Sequence, residues 1–301
     1  MAASTSFSNT SDDGYNSGDN TSLKLKIEHT AQPKTILKPA SKPSLLTLKQ
    51  LYSVRSVISE TANGKVYAGV TRHSHQPVVI KKVPKSNQNV YNEIILTKTA
   101  HKLCPETVLP ILYVEETVNS VVYTQPMFGS SLYDFMFNRN QPLSEWEAKH
   151  VFKQLAETIL TLQQSGIFHL DVKEENILID PVSLNIKLID FGCGLQNSCP
   201  TSFSGSIEFA APELFMADVP AKSVSKMDVW SFGVCLFSAV TGQTPYDNME
   251  KVFYEGLKLD TSGMSLELVD LLRVCLIAGY KKRADFQTIV KMKFLNWVRN
   301  W

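Results

Sequence analysis

The chain has 301 residues, 44% of them apolar and 20% charged, with a formal net charge of +1. That length can bury a core of two lobes or two ordinary domains. The near-zero charge excludes the broad basic field of a nucleic-acid or membrane-surface binder. Cys104, Cys193, Cys199, Cys235 and Cys275 have neither CxxC pairing nor His partners at metal spacing. This predicts reduced thiols, no zinc, and a cytoplasmic or nuclear setting. No apolar run follows a basic start and no long apolar stretch occurs, so neither a signal peptide nor a membrane span is expected.

Residues 1–47 read as a disordered tail and linker. MAASTSFSNTSDDGYNSGDNTS has almost no aliphatic side chains and cannot offset chain entropy by burial. Pro33, Pro39 and Pro43 among lysines suit a linker. The tail's hydroxyls read equally as phosphorylation sites or as ordinary solvated residues.

One domain is expected over 48–301, with a small lobe at 48–126 and a larger one at 127–301. Tyr52–Ile58, Lys65–Val70 and Val78–Val83 alternate like antiparallel strands. A helix follows over Asn89–Lys102, with Val90, Ile94 and Lys98 on one face and Glu93 close by; Ile111–Glu115 and Ser120–Gln125 are the next strands. Beyond Met127 the pattern turns helical. Ser144 and Glu147 form a capping-box signature. Ala148, Val151, Phe152, Leu155, Ile159 and Leu162 then recur at helical spacing to a stop at Gly166. Short strands are predicted at Ile177–Asp180 and Ile186–Ile189. An almost wholly apolar helix, Met227–Val240, capped by Ser225 and ended by Gly242, should lie buried in the large lobe. Further helices are predicted at Val252–Leu257, Leu266–Leu276 and Phe286–Lys291. The fold class is α+β and bilobal: a small antiparallel β-sheet lobe with one main helix, and a larger, mainly helical lobe. The cleft between them is a usual ligand site.

Chemistry-bearing motifs sit around that cleft. HLDVKEEN, residues His169–Asn176, resembles the catalytic loop of protein kinases. The resemblance gives Asp171 the task of orienting the substrate hydroxyl and accepting its proton, Lys173 that of offsetting phosphoryl charge, and Asn176 that of a metal ligand. Asp190-Phe191-Gly192, behind the apolar run Ile186–Ile189, resembles the family's metal-binding D-F-G, with Asp190 as the ligand and Phe191 and Gly192 structural. Val78-Val79-Ile80-Lys81 stands where the family has V-A-I-K. Lys81 would hold ATP phosphates and pair with Glu93. Ala211-Pro212-Glu213 matches A-P-E. Asp228-Val-Trp230-Ser-Phe-Gly233 matches the start of the family's central helix, and Arg283 falls where an Arg pairs with that Glu. Asp228, Glu213 and Arg283 are therefore expected to be structural. The match spans about residues 50–295, and implies ATP as co-substrate with Mg2+ or Mn2+.

Within the kinases, GIFHLDVKEENILID, KLIDFGCG and the hinge VVYTQPMFGSSLYDF are most similar to the PIM family, while HLD and DFGC also resemble Mos kinases. Pro126 in the hinge lacks an N–H, so one adenine hydrogen bond should be missing. Tyr123 would be the gatekeeper. Ile58, Ser59, Gly64, Val66, Val79, Lys81, Tyr123, Gln125 and Leu178 would line the ATP site. The glycine loop departs from the family pattern, reading Ser59-Glu-Thr61-Ala-Asn-Gly64-Lys-Val66 with only its third glycine kept. A stiffer lid is expected, and Val79 in place of Ala narrows the pocket. Leu170 stands where an Arg usually reads an activation-loop phosphate, which predicts activity without one. Ser198, Thr201, Ser202 and Ser204 read as modification sites or as plain polar loop residues. Lys173 and Gly205-Ser206 match serine/threonine kinases, and Ser206 should bond both Asp171 and Lys173. Glu175 and Asp134 fall where basophilic kinases face substrate arginines. The expected partners are ATP and Ser/Thr proteins with nearby basic residues, bound by a monomer. Two alternatives stay open: a pseudokinase scaffold, favoured by the weak glycine loop, and a small-molecule phosphotransferase, disfavoured by A-P-E and Ser206.

Overall fold

The computed structural model describes residues 46–296 except 62, 63, 88, 199, 201–204, 217, 218, 247–251, 253–256 and 258. Residues 1–45 of the tail predicted over 1–47, three of the loop hydroxyls (Thr201, Ser202 and Ser204) and residues 253–256 of the predicted helix Val252–Leu257 lie outside the described residues; Thr47, the last residue of that predicted tail, instead caps a short helix.

The small lobe is built on an antiparallel sheet of β1 (Tyr52–Thr61), β2 (Gly64–Thr71), β3 (Pro77–Pro84), β4 (Tyr113–Glu116) and β5 (Ser120–Pro126), in the order β1-β2-β3-β5-β4. A one-turn helix, α1 (Leu48–Leu51), leads into β1, and its Leu48 N–H donates to Glu115 on β4 at 2.6 Å. One face of β3 and β5 packs on α2 (Asn89–Leu103): Val83, Val90, Ile94, Val121 and Tyr123 form a small core there. The strand predicted from Ile111 begins at Tyr113 instead, although Ile111, like Val114, packs against that core.

The large lobe begins with β6 (Ser130–Ser131) and α3 (Leu132–Arg139), then α4 (Glu145–Gln164). Both halves of the capping box hold: the Glu147 amide donates to Ser144 Oγ at 3.3 Å, and the Ser144 amide to Glu147 Oε2 at 2.7 Å. The six apolar positions predicted along α4 are all buried. β7 (Ile167–Phe168), β8 (Ile177–Ile179), β9 (Ile186–Leu188) and β10 (Leu195–Gln196) frame the catalytic-loop and D-F-G motifs, with β8 paired to both β6 and β9. The buried central helix is α5 (Val224–Thr241). It starts before the predicted cap. A 3-10 turn over Ala221–Ser223 runs directly into it, so Ser225 lies inside the first turn and its carbonyl accepts from Gln163 at 3.1 Å. Gly242 ends α5 in a left-handed conformation, φ +75°, as glycine C-terminal stops do. α6 (Leu266–Cys275), α7 (Phe286–Ile289) and α8 (Lys293–Asn296) close the lobe; α7 is shorter than predicted. Among the described residues no helix is long and apolar enough to cross a membrane.

Candidate active site

The catalytic-loop motif is held from beneath by α5. Asp228, fully buried, accepts the backbone N–H of Leu170 at 2.8 Å and of His169 at 3.1 Å. Leu170 sits at φ +61°, a conformation that costs a non-glycine residue about 1 kcal/mol, and the Asp228 bond holds it there. The His169 ring accepts the Asp171 N–H at 3.3 Å through Nδ1, which leaves Nε2 to donate to the Ile189 carbonyl at 3.0 Å. The His169 ring lies 4.8 Å from that of Phe191, which is wholly buried. One histidine thus ties the HLD turn to the D-F-G strand.

On this frame Asp171 points its carboxylate at three donors. Asn176 Nδ2 reaches Oδ2 at 3.0 Å, Lys173 Nζ reaches it at 3.1 Å, and the Ser206 amide reaches Oδ1 at 2.9 Å. Ser206 bonds both Asp171 and Lys173, as expected, but through different groups. Its Oγ meets only Lys173, at 2.6 Å, while the bond to Asp171 comes from the backbone. Gly205 makes that approach feasible: at φ +116° a Cβ would lie 3.0 Å from the Leu170 carbonyl and 3.2 Å from Asp171 Oδ1.

Across the cleft, β3 presents Lys81 to Glu93 of α2 at 3.0 Å. Burial pushes the Lys81 ammonium down, but the neighbouring acids Glu93 and Asp190 more than reverse this and hold it well above the usual lysine range. Burial likewise pushes Asp190 up, yet Lys81 and the Gly192 amide leave its carboxyl below the ordinary value. Asp190 is therefore ionised at neutral pH. Like Leu170 it has a positive φ, +64°. Lys81, Glu93, Asp171, Lys173, Asp190, Gly192 and Ser206 all face one cavity of about 440 Å³, roofed by Ser59, Gly64 and Val66.

The donor set suits a hard divalent cation. Asp190 offers an ionised oxygen, and Asn176, whose Nδ2 is committed to the Asp171 carbonyl (2.8 Å) and carboxylate, keeps its amide oxygen for a ligand. Among the described residues no cluster of three His, Cys, Asp or Glu could hold a metal. A magnesium carried by nucleotide phosphates needs only one or two protein oxygens.

Ile58, Val79, Tyr123, Gln125 and Leu178, also expected at the ATP site, are not among the lining residues of the cavity that holds Lys81 and Asp190. Val79 pairs with Gln125 and Ala68, and Lys81 with Tyr123, in the β2-β3-β5 ladder. Ile58 is the extra residue of a bulge between Val57 and Ser59, where β1 changes register over β2. Leu178 lies on β8. Gly64 has a packing reason to survive in an eroded loop: a Cβ there would stand 2.6 Å from the Lys82 carbonyl of β3.

A second cavity, of about 620 Å³, runs from Ser206 between α3 and the end of α5. Glu175, Glu208, Tyr133 and Phe137 line it, and so does Glu174. Asp134 is not among its lining residues; its carboxylate accepts the Ser131 hydroxyl at 2.7 Å in the cap of α3. Sequence reasoning did not single out Glu174. Only 3% of its surface is exposed, Oε1 has no partner, and burial pushes its carboxyl up to about 7. KEEN shows two adjacent acids, and only the 3-10 turn over Glu174–Asn176 decides which is buried.

The family model for the protein kinase domain matches residues 52–295. Among curated relatives, the serine/threonine-protein kinase PSK2 of Saccharomyces cerevisiae is 28% identical over 81% of this chain and 24% of its own length. A probable serine/threonine-protein kinase KIN1 homolog of Encephalitozoon cuniculi is 27% identical over 78% of the chain and 44% of its own length. Sperm motility kinase 2B of Mus musculus is 30% identical over 82% of the chain and 51% of its own length. The chain thus spans about a quarter to a half of the length of these relatives.

Proposed function

The chain belongs to the protein kinase domain family, and from that premise we propose that it transfers the γ-phosphoryl group of ATP to Ser or Thr hydroxyls of proteins. The observation that carries this reading is the convergence of Lys81, Glu93, Asp171, Lys173 and Asp190 on one cavity. Asp171 orients the incoming hydroxyl and takes its proton, Lys81 holds phosphate oxygens, and Lys173 offsets charge on the group in transfer. Asn176 and Asp190 would hold Mg2+ or Mn2+, which neutralises phosphate charge when bound. The test is transfer from magnesium-ATP to a basic Ser-containing peptide, with a peptide carrying only Tyr as the control. Resemblance of the hinge to the PIM family rests on Pro126, which pairs with Val78 at the end of β5 and offers no N–H to adenine.

Activity without an activation-loop phosphate is part of the proposal. The supporting observation is Leu170: its side chain is buried in the large-lobe core, so this position presents no cation to a phosphate. Phosphatase treatment is expected to leave kcat within about twofold. A loss of tenfold or more would count against the Leu170 argument.

The groove beside Ser206 supports a basic substrate segment. Three carboxylates line it, one of them buried with an unpartnered oxygen. A guanidinium placed there favours ionised Glu174, so basic peptides bind better once that carboxyl has lost its proton. With its value near 7, the KM for an Arg-containing peptide should fall by severalfold, up to about tenfold, between pH 6 and pH 8. Glu174→Gln should flatten that slope. A slope unchanged in Glu174→Gln would remove this residue from the recognition site.

A further inference from the structure

Tyr123 does more than pack in the small-lobe core. It stands on β5 directly opposite Lys81 of β3. Its side chain is 1% exposed and among the largest fully buried ones in the protein. Its hydroxyl donates to Glu93 Oε1, the same oxygen that accepts Lys81 Nζ at 3.0 Å. The Lys81 ammonium also lies 5.6 Å from the centre of the Tyr123 ring. One carboxylate oxygen of α2 is therefore gripped by groups from two different strands of the sheet.

We propose that the Tyr123 hydroxyl is a positioning group, holding the Glu93 carboxylate toward Lys81 and thereby keeping α2 in its working placement without help from a phosphate. The proposal rests on the kinase reading above and deepens it, by naming what replaces a phosphate-dependent device at the same site.

If α2 swings away, the donors that meet Glu93 are stranded. A buried phenol needs an acceptor, and a donor left unpaired in the interior carries its full desolvation cost. Without Glu93, both the Tyr123 hydroxyl and Lys81 lose their acceptor, so the outward state is penalised twice rather than once. The Tyr123 bond is to the carboxyl oxygen that also meets the Lys81 ammonium, and charge-assisted bonds are stronger than neutral ones. Burial, with Glu93 beside it, holds the phenol well above its usual range, so it remains a donor throughout physiological pH. α2 has a further tether, because Asn92 Nδ2 donates to the Gly194 carbonyl at 2.8 Å. None of these contacts needs a covalent modification of the chain. The alternative is that Tyr123 merely fills the core with Val83, Val90, Ile94 and Val121.

Tyr123→Phe separates the two, since it keeps the ring and its packing and removes only the hydroxyl. The experiment measures backbone amide exchange across Asn89–Leu103, with kcat and peptide KM, on phosphatase-treated parent and variant. The expected result is exchange in α2 about tenfold faster, with protection of α4 and α5 unchanged. A comparable loss of kcat at constant peptide KM should accompany it. In a Glu93→Gln background the same substitution should add less than about twofold. Exchange in α2 equal to that of the parent would overturn the proposal whatever the activity. A parent that transfers no phosphoryl group, yet loses α2 protection on Tyr123→Phe, would overturn the kinase reading and leave the clamp standing.

Discussion

Asp171→Asn is expected to lower kcat by about a thousandfold, with the KM for ATP little changed. Asp171 and Ser206 line the same cavity, and in the proposed reaction the Asp171 carboxylate is what a substrate hydroxyl proton would meet. The amide keeps the shape but removes that charge. It also sets an NH2 group among the donors of Asn176, Lys173 and the Ser206 amide, which now meet one acceptor oxygen instead of two. A loss confined to kcat is the signature of an interaction made only in the transition state. Steady-state kinetics on the purified variant read both constants. A kcat within tenfold of the parent would show that this carboxylate is not the group that handles the proton.

The second large effect concerns the fold rather than the chemistry. Glu213 and Arg283 form a two-pronged ion pair, at 2.8 Å and 2.9 Å, in which both side chains are wholly buried. Arg283 also donates to the carbonyls of Lys226, Ile277 and Ala278, and stacks 5.0 Å from the Trp230 ring. Arg283→Ala leaves Glu213 charged, buried and unpaired, along with three carbonyls stripped of a donor. The cost should be about 3–5 kcal/mol, read as a fall in Tm of roughly 10 °C for a domain of this size. Arg283→Lys should recover only part of it, since an ammonium cannot span both oxygens. Replacing both partners by Met and Leu together should cost less than either single alanine change, because no charge is then stranded. Thermal unfolding of the set reads these differences. Equal losses for the double hydrophobic change and the single alanine changes would contradict the stranded-charge explanation.

How far the sequence was legible depended on whether the governing signal was local. The capping box of α4, its apolar stripe and the apolar α5 follow from periodicity and cap chemistry, and each appears with nearly the expected limits. The motif residues around the cleft were legible because each carries its chemistry within a short run of sequence. Features set by a distant element were not. The 3-10 turn ahead of α5 displaced the Ser225 cap. The Ser206 amide rather than its hydroxyl reaches Asp171, because Gly205 brings the backbone that close. Asp134 and Glu174 show the same limit from opposite sides. Asp134 was an expected substrate contact and is spent on a helix cap, while Glu174, beside the expected contact Glu175, is buried against the groove. The bond from Tyr123 to Glu93 joins residues thirty positions apart, and no pattern in the sequence points to it.

The claim at the centre of the account is that Lys81, Glu93, Asp171, Asn176 and Asp190 form a working phosphoryl-transfer site despite the eroded glycine loop. It is tested most directly by incubating the 301-residue chain with magnesium and γ-labelled ATP and a basic Ser-containing peptide, beside Lys81→Met. The account predicts label on the peptide serine with the parent chain, and a loss of at least about a hundredfold with the variant. No label with the parent, or equal label with both, would contradict it and favour a kinase-like binding module instead.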